Sequence, residues 1–271
     1  MDFLSKFKRL LVMLKAGDWG SLRLTFVYRF SKVKISVANM LGIAVLNSRY
    51  GVPLTMNYGD KTFEFYVAGA YGNYYWNRIS KIDTEFIYMD IGANQGLYTI
   101  CAARNPKNLM SYAFEPVPDT FDFLEKNIAL NRVAPKCSLV KKAISDTCSL
   151  EEISTNANHS GAASLAEQNG LNLNAHSTIQ IETIDGAALD ALFQHKNTPV
   201  VVKIDVEGFE LTVVQQLIKT SFAEMITEIF YEIDENWTDP KEIEKLLGSI
   251  GFEVFEKIGV GSHYDVLALR S

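Results

Sequence analysis

The stretch Tyr88–Gly96, YMDIGANQG, decides the fold class of this chain. It joins a short apolar run to an acidic residue, Asp90, and then to Gly92 and Gly96 with Asn94 between them. A buried strand that runs into a glycine turn and then a helix is typical of nucleotide-binding α/β proteins. The turn lacks the third glycine of a dinucleotide fingerprint, so other segments must identify the ligand.

Strand-like and helix-like segments alternate from residue 86 onward, which predicts a mainly parallel, doubly wound sheet. The terminal segment FEVFEKIGVGSHYDVLALR predicts a hairpin that adds an antiparallel strand at one edge. We expect Asp119 to cap the helix that follows the second strand. The predicted strands are FIYMDI, MSYAFEP, CSLVKKAISD, PVVVKIDV and MITEIFYEID.

Two regions fall outside this alternation. Residues 149–177 are rich in Asn, Ser, Ala and Gly without a clear period, which predicts a long irregular loop, and TIQIETI after them predicts an amphipathic edge strand. Residues 1–50 have helical periodicity, and LTMNYGDKTFEFYVAG predicts a hairpin that turns at Tyr58–Asp60. We therefore expect an accessory region over residues 1–80 and the main domain over residues 81–271.

The charge is unevenly distributed along the chain. The net charge of −6 argues against nucleic acid as a partner. Residues 1–50 nevertheless carry nine Lys/Arg and two Asp/Glu, which favours either an anionic partner such as a membrane or glycan, or simply a solvated basic face. The three cysteines are irregularly spaced, which favours a reducing compartment, and no segment resembles a secretory signal or a membrane-spanning run. We therefore expect a cytoplasmic protein, with peripheral contact at the inner membrane face as one option.

Acidic residues follow the predicted strands in series. In such a sheet, ligands bind beyond the carboxyl ends of the strands. At this edge, Glu115 is placed to accept hydrogen bonds from ribose hydroxyls. Asp146 can accept a hydrogen bond from an adenine amino group, and Asp90 can hold an ammonium group. A ligand with these parts and no phosphate is S-adenosylmethionine, since an acid before the turn would repel a pyrophosphate. The acidic series is Asp90, Glu115, Asp146, Asp205 and Glu232.

Several segments together resemble the FkbM-type S-adenosylmethionine-dependent methyltransferases. These are YMDIGANQGLYT, YAFEPVPDTFDFLEKNIALN, KKAISD, HSGAASL, IETIDGAALD and VVKIDVEGFE, which span residues 86–233. The resemblance implies a class I methyltransferase fold and O-methylation of sugar or polyketide hydroxyls. It also implies a cofactor site, which with neighbouring positions comprises Asp90, Gly92, Ala93, Asn94, Gly96, Glu115, Pro116, Ser145, Asp146 and Asp205.

Methyl transfer to a sugar hydroxyl calls for a general base or a metal, because the hydroxyl pKa is high. Asp205 in KIDVEG is the first candidate, since it ends the strand that faces the methyl group. Glu207 and Glu232 complete a carboxylate set that would orient a sugar diol directly or through a divalent ion. His159 precedes SGAASL, where a lid over the acceptor is expected, and His263 is a weaker candidate.

The aromatic segment YVAGAYGNYYWNR (66–78) would either line an acceptor cleft or pack the N-terminal region against the core. The sequence as a whole predicts an S-adenosylmethionine-dependent O-methyltransferase that acts on a sugar or glycan. A polyketide or peptide-type acceptor is the nearest alternative, and an NAD-dependent oxidoreductase or a non-catalytic nucleotide-binding module are the others. The oligomeric state is not predicted.

Overall fold

The computed structural model describes residues 19–156, 158–164 and 176–270. The chain divides into two compact units, one that extends to Asn73 and one that begins at Tyr74. Within the described ranges, no helix combines the length and the apolar character needed to cross a membrane.

The described part of the first unit, from residue 19 onward, contains two helices and a small hairpin. Helix α1 spans Trp19–Met40, strands β1 and β2 span Val45–Asn47 and Pro53–Thr55 and pair antiparallel, and helix α2 spans Lys61–Ala68.

The predicted hairpin around Tyr58–Asp60 is wrong, because its second half is helix α2. The Asp60 side chain accepts a hydrogen bond from the N–H of Phe63 at 2.7 Å, and Gly69 ends the helix in a left-handed conformation. These two caps favour the helix over the alternating pattern. A hairpin lies earlier, at β1–β2, and its first strand falls within residues 1–50, for which the sequence predicts helix.

A seven-stranded sheet forms the centre of the second unit, in the order β12-β13-β11-β10-β3-β4-β5. Its strands are parallel except β13, which is antiparallel to both of its neighbours. This confirms the predicted fold class, a mainly parallel α/β sheet with an antiparallel C-terminal strand. The strands span Phe86–Ile91 (β3), Asn108–Phe114 (β4), Cys137–Val140 (β5), Val200–Ile204 (β10), Ile226–Asp234 (β11), Phe252–Ile258 (β12) and His263–Arg270 (β13).

Helices connect these strands, and all residues of the two central strands β3 and β10 are buried. Asp119 is not the N-cap of α5, since Val117 occupies that position and Pro118 begins the helix. Asp119 lies in the first turn, where its charge favours the helix dipole. The helices are α3 (Asn73–Ser80), α4 (Leu97–Arg104), α5 (Pro118–Leu130), α6 (Gly186–Leu192), α7 (Glu210–Leu217) and α8 (Pro240–Gly248).

A second sheet of four strands has the order β6-β9-β7-β8. Its strands are β6 (Ala143–Ile144), β7 (Leu150–Asn156), β8 (His159–Ser164) and β9 (His176–Ile184). The prediction of an irregular loop is therefore wrong for the described part of residues 149–177, and β9 is an inner strand rather than an edge strand. These segments form strands rather than a loop because Ile153 of β7 and Ile181 of β9 pack with Val117 in a small hydrophobic core.

Candidate active site

The carboxyl ends of β3 and β10 meet at the point where the sheet reverses its order. Beyond them, the N–H of Asp205 donates to the carbonyl of Ile91 at 3.0 Å, which fixes the two chain segments against each other. At Gly92 they approach so closely that a Cβ atom would lie 1.9 Å from the Asp205 carbonyl oxygen. Gly92 also has a φ of 79°, so both its conformation and its neighbour require glycine.

The glycine turn, residues 92–96, is held by the end of β4. The N–H groups of Gly92 and Ala93 both donate to the carbonyl of Phe114, at 3.0 and 2.9 Å. Asn94 has a left-handed φ of 49°, which its side chain supports by accepting a hydrogen bond from the N–H of Gln95 at 2.8 Å. Gly96 then leads directly into helix α4. These hydrogen bonds thus fix the backbone of the turn.

Glu115 lies immediately after β4, followed by Pro116. Its carboxylate accepts hydrogen bonds from the backbone N–H groups of Asn94 at 3.0 Å and Val117 at 2.9 Å. Burial raises its pKa to about 7, and these two donors oppose the rise. The carboxylate is therefore held in one orientation beside the glycine turn.

Ser145 and Asp146 follow β6, in the smaller sheet, because the third predicted strand divides into β5 and β6. Ser145 is buried, and its hydroxyl donates to Glu151 at 3.2 Å and to Asp146 at 3.4 Å. Asp146 is exposed. Its carboxylate is thus accessible, as the predicted contact with an adenine amino group requires.

Lys203 of β10 is a buried cation that the sequence analysis did not identify as part of the site. Its ammonium group lies 3.1 Å from the Asp205 carboxylate and 3.6 Å from Asp90, and it donates to the carbonyl of Gly92 at 3.4 Å. Asp90 also accepts a hydrogen bond from the Thr99 hydroxyl at 2.5 Å, and burial raises its pKa. Asp90 is therefore enclosed by protein groups. The lysine within the apolar run PVVVKIDV is the feature of the sequence that could have identified this cation, because lysine is rarely buried unless it is paired.

Three predicted catalytic carboxylates come together at this edge. Oxygens of Asp205, Glu207 and Glu232 all lie within 4.8 Å of one another. Burial raises the pKa of Glu207 to about 9 and that of Glu232 to about 8, and in both cases the Asp205 carboxylate adds to the rise. At neutral pH this carboxylate cluster must share protons or face a cation, because adjacent partly buried charges repel one another.

His263 at the start of β13 joins the carboxylate cluster through Glu232. Its Nε2 lies 2.8 Å from the Glu232 carboxylate, and its Nδ1 lies 3.6 Å from the Asp234 carboxylate. Burial lowers the pKa of His263, but the Glu232 and Asp234 carboxylates together outweigh burial and the net shift is upward. A proton can thus be exchanged between His263 and Glu232.

His159 lies on a different side of the site, at the start of β8. The hydroxyl of the adjacent Ser160 donates to the Asn94 side chain at 3.1 Å and accepts a hydrogen bond from Gln95 at 3.2 Å. The β7–β8 hairpin thus rests against the glycine turn, and His159 is half-buried at that contact.

The aromatic segment 66–78 contributes rings to packing within each unit. Tyr75 is buried, and it stacks on Phe230 with ring centres 4.0 Å apart and meets the edge of Tyr98 at 5.6 Å. Tyr66 and Tyr71 make an edge contact within the first unit. Each of these rings thus packs within the unit that contains it.

Comparison with known proteins places the site in context. Residues 90–254, more than half of the chain, match the family model of the methyltransferase FkbM domain. The hexuronic acid methyltransferase AglP of Haloferax volcanii is 29% identical over 174 residues, which cover 62% of this chain and 64% of AglP. The methyltransferase sdnD of Sordaria araneosa is 26% identical over 220 residues, with 65% of this chain and 85% of sdnD covered. The chain therefore spans slightly less than two thirds of the length of AglP.

The alignments with solved structures are more distant. The ribosomal protein L11 methylase of Lactobacillus delbrueckii subsp. bulgaricus aligns with a TM-score of 0.42 and 16% identity, with coverage of 74% of this chain and 81% of that chain. The M. capricolum TrmK in complex with S-adenosyl-homocysteine aligns with a TM-score of 0.45 and 12% identity, with coverage of 73% and 68%.

Proposed function

The chain belongs to the FkbM family of S-adenosylmethionine-dependent methyltransferases, and on this basis we propose that it methylates a hydroxyl of a sugar or glycan acceptor. The observation that carries this proposal is the carboxylate cluster of Asp205, Glu207 and Glu232 beside the glycine turn. Carboxylates bind sugar hydroxyls and accept their protons. The similarity to a hexuronic acid methyltransferase supports a saccharide acceptor.

The residues at the glycine turn fit the cofactor by their chemistry. S-adenosylmethionine supplies an activated methyl group on a sulfonium, so the protein needs to bind and orient rather than to activate the donor. We assign Glu115 to the ribose hydroxyls, and Ser145 with Asp146 to the adenine. Gly92 allows the turn to pack directly against the backbone that follows β10, which brings the turn next to Asp205. The missing third glycine agrees with a ligand that has no pyrophosphate.

We assign the general base to Glu232 rather than to Asp205. The Asp205 carboxylate is committed to an ion pair with Lys203 at 3.1 Å, and its role in the proposal is to orient the acceptor hydroxyl. The pKa of Glu232, about 8, lies near neutral pH, where a general base is most effective. Glu207, with a pKa of about 9, carries a proton at neutral pH and can donate a hydrogen bond to the acceptor.

A divalent cation offers a second way to balance the carboxylate cluster. The three ligand atoms lie close enough to share one ion, and an all-oxygen set favours Mg²⁺, Ca²⁺ or Mn²⁺. Titration calorimetry with these ions, with the Asp205→Asn variant for comparison, tests this arrangement. Heat of binding that disappears in the variant supports an ion, and full turnover in chelator supports proton sharing.

The assignment of Glu232 is tested by replacing it with glutamine. We expect Glu232→Gln to lower turnover by about 10²- to 10⁴-fold, the usual contribution of a general base, while the affinity for S-adenosylmethionine in calorimetry stays unchanged. The control is Glu235→Gln, because Glu235 lies nearby and is 43% exposed, and its side-chain contacts are with Lys257 at 3.7 Å and with Tyr264 rather than with the carboxylate cluster. Wild-type turnover in Glu232→Gln would remove Glu232 from the mechanism.

The acceptor is identified by mass spectrometry of surface glycans from cells with and without the protein. The proposal expects saccharides that differ by one methyl group. A methylated polyketide or peptide-type product would instead support the alternative acceptor class. Preference for NAD in calorimetry, or cofactor binding without any methylated product, would contradict the proposed activity.

A further inference from the structure

Helix α1 carries an apolar stripe on its outer face. The stripe consists of Phe26, Phe30, Val33, Val37 and Met40, whose exposed fractions range from 48% to 84%. Residues three and four positions apart lie on the same side of a helix, so these five side chains form one continuous row. Exposed apolar residues are common singly, but a continuous row marks a binding surface.

The opposite face of α1 already holds the helix in the first unit. Ser31, Ile35 and Ala38 are buried there. The Tyr28 hydroxyl also donates to Glu64 of α2 at 2.7 Å, which ties the two helices together. The apolar stripe is therefore not the face on which α1 packs within the described part of the chain.

The surroundings of the stripe are apolar and basic. Leu41, Ile43 and Val45 are exposed and continue the apolar surface past the end of the helix. Residues 19–50 contain five basic residues and no Asp or Glu. Since a helix turns by about 100° per residue, Arg29 and Lys34 lie on the two sides of the stripe.

We propose that α1 lies in the surface of an anionic lipid bilayer, with the apolar stripe at the acyl boundary and Arg29 and Lys34 among the headgroup phosphates. An apolar row flanked by basic residues is the pattern of helices that lie in the membrane plane. Each basic side chain is attracted by the negative surface potential. A second copy of the chain is a poorer occupant, because pairing of two stripes would bring like charges together.

The proposal is tested by sedimenting the full chain with vesicles. We expect the wild-type protein to sediment with vesicles of phosphatidylcholine and phosphatidylglycerol, and much less with phosphatidylcholine alone or at high salt. Phe30→Glu removes a large apolar side chain and adds a negative charge within the stripe. We expect it to lower the partition into anionic vesicles by roughly tenfold or more.

The matched control is Asn39→Glu, which adds the same charge at an exposed position of α1 outside the stripe. We expect its partition to stay close to that of the wild type. Because both sites are exposed, we expect thermal unfolding of both variants to shift only slightly, and more for Asn39→Glu, since a negative charge in the last turn of α1 opposes the helix dipole.

Three outcomes would overturn the proposal. The first is that the wild type stays in the supernatant with anionic vesicles. The second is that Phe30→Glu binds these vesicles as well as the wild type does, and the third is that Asn39→Glu loses as much vesicle binding as Phe30→Glu. Sedimentation equilibrium in the absence of lipid adds a fourth. A dimer that Phe30→Glu dissociates, without vesicle binding by the wild type, would assign the stripe to a second copy of the chain.

Discussion

Replacing Lys203 with methionine should destabilise the protein far more than removing a lysine from a surface ion pair. The Lys203 ammonium group is almost completely buried and lies between the carboxylates of Asp205 and Asp90. Methionine keeps most of the side-chain volume but leaves Asp90 as a buried charge without a cation. Breaking a buried pair in this way costs about 3–5 kcal/mol.

The comparison variant is Lys142→Met. Lys142 lies 2.8 Å from Glu182, closer than Lys203 lies to either of its partners, but the two side chains are 41% and 58% exposed. Water and salt screen such a pair, so the expected loss is below about 1 kcal/mol. The two variants thus separate burial from distance as the source of the effect. Urea unfolding followed by circular dichroism measures the free energy of unfolding for both.

A double variant, Lys203→Met with Asp90→Asn, checks the reason for the loss. Asparagine has no charge to desolvate, so the double variant should be more stable than Lys203→Met alone, and the two changes should not be additive. Burial already raises the pKa of Asp90, and Lys203 opposes this rise. Without the lysine the pKa of Asp90 rises further. A carboxyl group whose pKa is higher in the folded than in the unfolded protein stabilises the fold at low pH, and this stabilisation is lost as the pH rises through the folded-state pKa. The deficit of Lys203→Met should therefore be smaller at about pH 5 than at about pH 8.

A loss in Lys203→Met no larger than that in Lys142→Met would refute this reasoning, as would a double variant that loses the sum of the two single losses. Either result would mean that Asp90 carries no uncompensated charge once the lysine is gone.

Two further predictions concern the same edge of the sheet. Burial, with Asp205 and Glu232, raises the pKa of Glu207 from 4.5 to about 9, so wild-type stability should fall as the pH rises between these values. In metal-free buffer Glu207→Gln should flatten that slope by up to about 1.4 kcal/mol per pH unit, and an unchanged slope in urea unfolding would contradict the shift. Gly92→Ala should abolish S-adenosylmethionine binding in calorimetry, because the added Cβ would lie 1.9 Å from the Asp205 carbonyl oxygen. The control is Gly59→Ala, whose added Cβ would have no atom within 4 Å. It should cost only about 1–2 kcal/mol of backbone strain. Wild-type affinity in Gly92→Ala would show that the two segments can separate.

The sequence was most informative where local pattern and buried structure coincide. The apolar runs of β3 and β10 predict central strands because both faces of a parallel sheet are covered. The acids that follow these runs could be placed together because strand ends meet at one edge. Asp205, Glu207 and Glu232 are therefore close, as predicted, although their roles stay proposals.

The errors arise where long-range contacts decide the structure. Strands β7 and β9 pair residues such as Leu150 and Glu182, far apart in sequence, and the composition between them contains little that predicts this pairing. Helix α2 was missed because its alternating apolar residues outweighed a cap at Asp60 that only the structure makes plain. Lys203 was missed because a single lysine in an apolar run has no periodic signal, and its partners come from a neighbouring strand and the following loop.

The charge of the carboxylate cluster constrains the acceptor. Asp205, Glu207 and Glu232 meet within a few ångströms, and among the contacts described above only Lys203 brings a permanent positive charge to this edge. A hexuronic acid, the acceptor class named for the Haloferax relative, is itself an anion near neutral pH, and fully ionised carboxylates would repel it. Such an acceptor therefore requires that Glu207 keep its proton, as its raised pKa allows, while Glu232 serves as the base, or that a divalent cation bridge the acceptor to the cluster. A neutral sugar adds no charge of its own to the cluster. We therefore expect turnover of a hexuronic acid to fall more steeply than turnover of a neutral sugar as the pH rises through the pKa of Glu207, or as a chelator removes a bridging cation.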